Sequence, residues 1–197
     1  MLLRQEIEKY KQWRSLHPFP DEYDGWWHGL YAATFAFAAS TRPDEWTSEE
    51  VSDLLFLISH DLCDLIVEQL AKEPNKLLAI GQVALKCNDP DAKWPIAVEL
   101  GSLIEQKCDA EPMLIAFVND DDEYVSRRAL LSLASLNSDS TEFFAERAWN
   151  TGHLYQRIAA LSALRTVSSP KLQEYVEKAY EDGREYVVRN ARKIESG

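Results

Sequence analysis

The chain carries an internal repeat with a period of about 30 residues, close to the length of one helix hairpin. Four alanines recur at steps of 32, 30 and 32, at Ala97, Ala129, Ala159 and Ala191. The last three each end a triplet in which an arginine stands two positions earlier and Val125, Tyr155 or Val187 four positions earlier. A fixed period of this kind is typical of stacked helix hairpins, because one hairpin cannot bury its apolar stripe without neighbours. The repeat therefore predicts an all-α fold, an α-α superhelix of helical hairpins.

The spacing of apolar residues supports helices throughout the chain. Hydrophobic residues make up 46% of the sequence and return every three or four positions in blocks of ten to fifteen, and no segment alternates as a strand would. We predict about a dozen helices, at 2–16, 23–40, 47–58, 61–72, 75–87, 91–106, 111–118, 123–136, 140–149, 153–167, 170–180 and 184–194. The length favours a single helical-repeat domain over 1–197, with divergent helices over 1–72 and repeats over 75–195.

Each repeat alanine has a physical role in such a stack. Close helix crossings need a small residue at the contact, while an arginine two positions earlier points elsewhere and can reach an acidic group in the adjacent loop. The segment 121–133, with acidic residues before Val125, Arg127 and Ala129, resembles the HEAT-repeat family. This resemblance implies a helical array that binds other macromolecules, with the helices containing Val125, Tyr155 and Val187 along its inner, concave side.

Charge restricts the class of partner. The chain has 33 acidic and 21 basic side chains, a net charge of −12, and such a surface repels phosphate backbones and anionic lipids. We therefore expect no nucleic acid and no membrane as partners. Helical-repeat DNA glycosylases are similar in outline, but they hold DNA with positive charge. The acidic groups at 21–24, 44–50 and 120–123 fall at predicted helix starts, where carboxylates cap helices, and they also suit a negative face for a basic protein.

Small, acidic helical proteins of this kind look like bacterial immunity proteins, which neutralise basic nuclease-type toxins. This resemblance implies a non-catalytic inhibitor; a general scaffold or assembly factor is the alternative. Tryptophan and tyrosine anchor many interfaces, although large aromatic residues are first of all core residues. The candidate partner-binding residues are Asp120, Asp121, Asp122, Glu123, Tyr124, Tyr155, Trp27, Trp94 and Trp149.

One constellation suggests an enzyme instead. His28 and the pair His60-Asp61 are similar to the ordered histidines and aspartates of the HD-domain phosphohydrolases, in which such residues hold a metal that activates water. This resemblance implies His28, His60, Asp61 and Asp120 as metal ligands. Capping of a helix at Ser59-His60-Asp61 explains the same residues without a metal. No nucleophile-elbow, P-loop, dinucleotide or zincin motif occurs, so we expect no catalytic residue and no cofactor.

The three cysteines and the apolar segments bear on location. Cys63, Cys87 and Cys108 are odd in number and lack a Cys-x-x-Cys spacing, which predicts reduced, buried thiols. The first residues lack the apolar core of a secretion signal, and the most apolar stretch, 30–39, is too short to span a bilayer. We therefore expect a cytoplasmic protein.

Overall fold

The computed structural model describes residues 2–17 and 27–196. Within these ranges the chain forms twelve α-helices and a short 3₁₀ turn, Pro43–Glu45, and no strand, so the predicted all-α fold is confirmed. The helices are α1 Leu2–Leu16, α2 Trp27–Ser40, α3 Ser48–His60, α4 Leu65–Ala71, α5 Pro74–Ala84, α6 Pro90–Leu100, α7 Lys107–Val118, α8 Glu123–Ser135, α9 Thr141–Asn150, α10 Leu154–Thr166, α11 Leu172–Asp182 and α12 Glu185–Glu195. The predicted start of the second helix, 23–26, lies outside the described residues.

The chain divides into two compact units, residues 1–96 and 97–197, and the boundary falls within α6. A single domain over the whole chain stays a prediction. In the first unit α1 packs on α2 and α3, α4 packs on α2 and α5, and α3 also contacts α5. The core of this unit is formed by fully buried aliphatic side chains, among them Ile7, Leu30, Leu54 and Leu77.

The second unit is a stack of three helix hairpins, α7/α8, α9/α10 and α11/α12. The second helix of each hairpin packs on that of the next, α8 on α10 and α10 on α12. These second helices begin at Glu123, Leu154 and Glu185, which are evenly spaced along the chain. The predicted HEAT-like arrangement of repeated hairpins is therefore confirmed, and its structural period is constant.

The turn after the second helix repeats in atomic detail. Asn137 and Ser168 both adopt positive φ, 49° and 51°, and each is followed by a serine. The hydroxyl of Ser138 donates to Glu111, and the hydroxyl of Ser169 donates to Glu142 Oε1 at 2.6 Å. Each serine thus ties the end of a hairpin to its own first helix, so these two hairpins are closed by the same polar bond.

The repeat alanines are buried as expected, with 0 to 3% of each exposed, at Ala97, Ala129, Ala159 and Ala191. The register predicted for α10 is nevertheless one residue out. By helix starts Ala160, not Ala159, corresponds to Ala129, and both are buried because α10 packs on α8, α9 and α12 together. Crowding on several sides of α10 places small residues at consecutive positions, and the alignment of single alanines cannot separate them.

Two predicted helix boundaries are wrong for a local reason. The helix predicted from Asp61 begins at Leu65, because residues 61–64 form a turn that ends with Asp64 at φ 57°. The helix predicted over 91–106 stops at Leu100. There Gly101 lies so close to α8 that a Cβ atom would stand 2.7 Å from Ser132 Cβ. A residue without a side chain is required at this contact.

The prediction of unpaired cysteines agrees with the structure, whereas their predicted burial is wrong. Cys63 and Cys108 are exposed and Cys87 is partly exposed, and all three are free thiols. Cys63 lies in the 61–64 turn and Cys108 in the first turn of α7, so neither position faces a core. Among the residues that the structure describes, no helix is both long and apolar enough to cross a bilayer.

Candidate partner-binding site

The acidic run 120–123 lies where α7 turns into α8. Asp122 caps α8, since its Oδ1 accepts the backbone N–H groups of Tyr124 at 2.9 Å and Val125 at 3.0 Å. Asp120 Oδ1 in turn accepts the backbone N–H of Asp122 at 3.0 Å. Capping is therefore confirmed for Asp122, while Asp121 is exposed and projects its charge to solvent.

Beside this turn lies a row of exposed tyrosines. Tyr124, Tyr155 and Tyr186 are each the second residue of α8, α10 and α12, and 39%, 52% and 49% of their surfaces are exposed. Because these three helices pack side by side in order, the rings follow one edge of the second unit. We call these three residues the tyrosine row. Tyr186 was missed in the sequence, because the triplet alignment paired Tyr155 with Val125 and Val187 instead.

Arginines hold the rings of the row in place. The guanidinium carbon of Arg127 lies 4.7 Å from the ring centre of Tyr124 and 5.1 Å from that of Tyr155, so it contacts both. Its Nε donates to Glu123 Oε1 at 2.9 Å, which fixes the direction of the plane. The guanidinium carbon of Arg189 lies 4.7 Å from the ring centre of Tyr186. Cation–π contacts of this kind orient the rings before any partner arrives.

The helices containing Val125, Tyr155 and Val187 were expected along the inner side of the array, which stays a prediction, but the exposure of these three side chains differs. Val125 and Val187 are fully buried, since each is the third residue of its helix and faces inward while the tyrosine before it faces out. Of these three side chains, only that of Tyr155 is exposed.

A cluster of charged side chains connects the last two hairpins of the second unit. Asp182, at the end of α11, accepts from Arg184 Nε and Nη2, each at 2.7 Å, and from Arg157 of α10. Arg184 Nη1 also donates to the carbonyl of Gly152 at 3.0 Å. The hydrogen bonds from Arg184 hold the pKa of Asp182 far below its usual range, against the opposing effect of burial and with further help from Arg157. The predicted bond from a repeat arginine to an acid in the adjacent loop is thus confirmed for Arg157, whereas Arg127 pairs within its own helix.

The three candidate tryptophans occupy different environments. Trp149 is buried, meets Tyr175 edge-on with ring centres 5.3 Å apart and lies under Arg157. It is a core residue, with 6% of its surface exposed. Trp27 is partly exposed and contacts the rings of Tyr10 and Tyr31, and Trp94 is partly exposed on α6.

The histidine–aspartate pair serves local structure. Asp61 is buried, and its carboxylate accepts from Tyr31 Oη at 2.6 Å, from Cys63 N at 3.1 Å and from Ile66 N at 2.8 Å. Burial, followed by the bond to Asp61, raises the pKa of Tyr31, so the phenol remains a donor. His60 Nδ1 lies 2.8 Å from the carbonyl of Phe56. Each oxygen of Asp61 thus holds the turn into α4.

The two other residues suggested as metal ligands, His28 and Asp120, lie in different compact units. His28 is exposed on α2, and Asp120 belongs to the second unit, where it shapes the turn before α8. Within residues 2–17 and 27–196, no group of three or more histidine, cysteine, aspartate or glutamate side chains could hold a metal ion. The geometry therefore gives the hydrolase interpretation no support.

Comparison with known proteins agrees with the hairpin architecture. Residues 77–165 match the family model for HEAT repeats. This match covers the α7/α8 and α9/α10 hairpins with the helices just before them. No curated protein matches the chain. The similarity to HEAT repeats supports a protein-interaction scaffold and leaves the partner to be argued from the surface itself.

Proposed function

We propose that this protein is a non-catalytic binding module that holds a basic protein along the tyrosine row. The observation that carries the proposal is the exposure of three tyrosines at one repeated position, each with an arginine against its ring. Tyrosine supplies a large contact area at little cost in conformational entropy, and it is enriched where interfaces concentrate their binding energy.

Charge selects the partner. Residues 97–197 carry 17 acidic and 12 basic side chains, and several of these basic groups are already paired internally, as Arg127, Arg157 and Arg184 show. Exposed acids adjoin the row at Asp121 and Glu185. The negative electrostatic potential of these groups speeds the association of basic proteins and slows that of acidic proteins.

The spacing of the rings fits an extended segment of such a partner. Because Arg127 touches both rings, the centres of Tyr124 and Tyr155 are at most about 10 Å apart, which is the usual distance between packed helices. A chain in the extended polyproline II conformation advances about 3.1 Å per residue with about three residues per turn, so every third residue would meet a tyrosine.

Inhibition of a basic, nuclease-type toxin domain is the specific role that we propose for this surface. It is supported by the acidic charge of the chain and by the position of exposed acids beside the docking row. Assembly of a basic protein within a larger complex is the second candidate, and it uses the same surface.

The binding step can be tested with a defined probe. A fluorescein-labelled peptide with arginine at every third position among serines is titrated into the protein, beside a peptide with glutamate at those positions. We expect binding of the arginine peptide alone, weakened by salt. Replacing all three row tyrosines by serine should weaken it at least about tenfold, whereas Phe143→Ser, which removes an aromatic ring 64% exposed on α9, should not. Equal binding of both peptides, or an unaffected triple variant, contradicts the proposal.

The inhibitory role needs its own measurement. If a nuclease-type toxin domain is encoded beside this gene, it is co-expressed with the protein, and the nuclease activity of the purified toxin is measured with and without the protein. Stoichiometric inhibition that the triple tyrosine variant loses would support the role. A neighbouring toxin that stays fully active in the presence of the protein would leave the assembly role as the better one.

A further inference from the structure

The first unit contains a groove that the proposed function does not use. It lies between α1, the end of α2 and the start of α3, and it encloses about 940 Å³. This volume is within the range of small-molecule sites. Leu3, buried, and Phe37, partly buried, give it an apolar base. The groove is therefore large enough for a ligand and has a surface on which an apolar group can pack.

Four carboxylates line the wall of the groove together with two cations, Arg4 and Lys9, and Lys9 Nζ pairs with Glu6, outside the lining, at 2.6 Å. Glu8 comes from α1, and Glu49, Glu50 and Asp53 come from α3. Glu50 is committed to capping, since its Oε2 accepts the N–H of Thr47 at 2.8 Å. Glu49 and Asp53 are four residues apart on one helix and share a face. Glu49, whose side chain is 69% exposed, presents its charge to the open space, whereas the Asp53 side chain is 13% exposed and adds negative charge from below.

The chain already places one cation against this wall. The guanidinium of Arg4 pairs with Glu49, and the side chains of Arg4 and Glu49 are 56% and 69% exposed. Lys11 Nζ lies 3.4 Å from Asp53 Oδ1. The exposed Arg4–Glu49 pair contributes little to stability and exchanges readily with solvent. Arg4, with an apolar stem and a planar cationic head, thus shows the type of group that the wall accepts.

We propose that this groove binds an organic cation with a short apolar stem, an alkylguanidinium or alkylammonium group. The cationic head replaces Arg4 on Glu49 and is also attracted by Asp53, and the stem lies on Leu3 and Phe37. Arg4 then acts as a tethered competitor that keeps the affinity low until it swings out. The same chemistry can be supplied by a free small molecule or by an arginine or lysine side chain of a protein.

The test uses n-butylguanidinium as probe, with n-butanol and butyrate as neutral and anionic controls, followed by chemical-shift changes in the intact protein. We expect saturable shifts confined to α1, α2 and α3 with the cation only. Arg4→Ala should tighten binding about threefold or more, since a competitor is removed, and Glu49→Gln should weaken it by a similar factor. Both residues are exposed, so both variants should keep the melting temperature of the parent.

Glu68→Gln is the matched control, because Glu68 is exposed on α4 and does not line the groove. An acetylated, amidated arginine and a peptide carrying one arginine distinguish the sources, since a groove built for a protein side chain binds the peptide more tightly. Equal shifts with butanol would overturn the proposal, as would unchanged affinity in Arg4→Ala or equal weakening by Glu68→Gln. None of these results depends on the tyrosine row.

Discussion

Asp182 should hold the last hairpin in place, and Asp182→Asn tests this directly. Its side chain is 2% exposed and accepts hydrogen bonds from Arg157 and Arg184. Breaking a buried charge pair by removing one partner costs about 3 to 5 kcal/mol. We expect the lower end, about 3 kcal/mol, because 25% of the Arg157 side chain and 39% of the Arg184 side chain reach solvent and can be hydrated in the variant.

The loss should be local. In a stack of repeats each hairpin is stabilised by its neighbours, and α12 contacts α10 and α11. Amide hydrogen exchange should therefore speed up by about 150-fold in α11 and α12, which is about 3 kcal/mol at about 1.36 kcal/mol per tenfold, and remain unchanged in α7 and α8. Glu181→Gln, a change of the same kind at the exposed neighbouring residue, is the control and should leave exchange as it was.

The pH dependence follows from the depressed pKa of Asp182. A carboxylate whose pKa is lower in the folded state contributes its full stability above the unfolded value of about 4 and loses it as the pH falls toward the folded value. The difference between the parent and Asp182→Asn should thus be constant from pH 7 to about pH 5 and shrink below about pH 4. Uniform exchange throughout the second unit, or an equal effect of Glu181→Gln, would refute the reasoning.

Two further predictions concern packing and exposure. Gly101→Ala should lower the free energy of unfolding in urea by about 2 kcal/mol, because its Cβ would collide with Ser132, and an unchanged midpoint would contradict that contact. Gly152→Ala meets open space and should cost about 1 kcal/mol from its positive φ alone. In the native protein Cys63 and Cys108 should react with a thiol reagent faster than Cys87; three equal rates would show that the exposures are wrong.

The sequence predicts the helices well because they depend on local spacing. Thr47 is one example, because a threonine followed three residues later by a glutamate is the sequence of a capping box, and Thr47 and Glu50 form its two reciprocal hydrogen bonds. The acid that meets Arg157 could be predicted only as a class, because its position depends on how α11 returns to α10. The sequence alignment paired the wrong residues with Tyr155 for a related reason. The alanine spacing and the spacing of the helix starts differ by a single position in α10. Only the packing of the helices decides that Tyr155 is exposed as Tyr124 and Tyr186 are, and not buried as Val125 and Val187 are.

The cysteines show where an inference from residue type alone fails. Their burial was inferred from what cysteine usually does, whereas the exposure of Cys63 follows from the turn of residues 61–64 and its bonds to Asp61. That turn has no periodic signal, because it depends on a carboxylate that collects one phenol and two backbone amides from separate places. The groove of the first unit was missed similarly, since its wall joins side chains of α1 and α3 that are far apart in the sequence.

The serine–glutamate bond that closes a hairpin is internal to that hairpin in two of the three copies, since Ser138 pairs with Glu111 and Ser169 with Glu142. Duplicating or deleting one such repeat would leave every closure intact. Gene rearrangements in whole repeats could then lengthen or shorten the array by one hairpin, and with it the tyrosine row by one exposed ring, without changing the pattern of the surface.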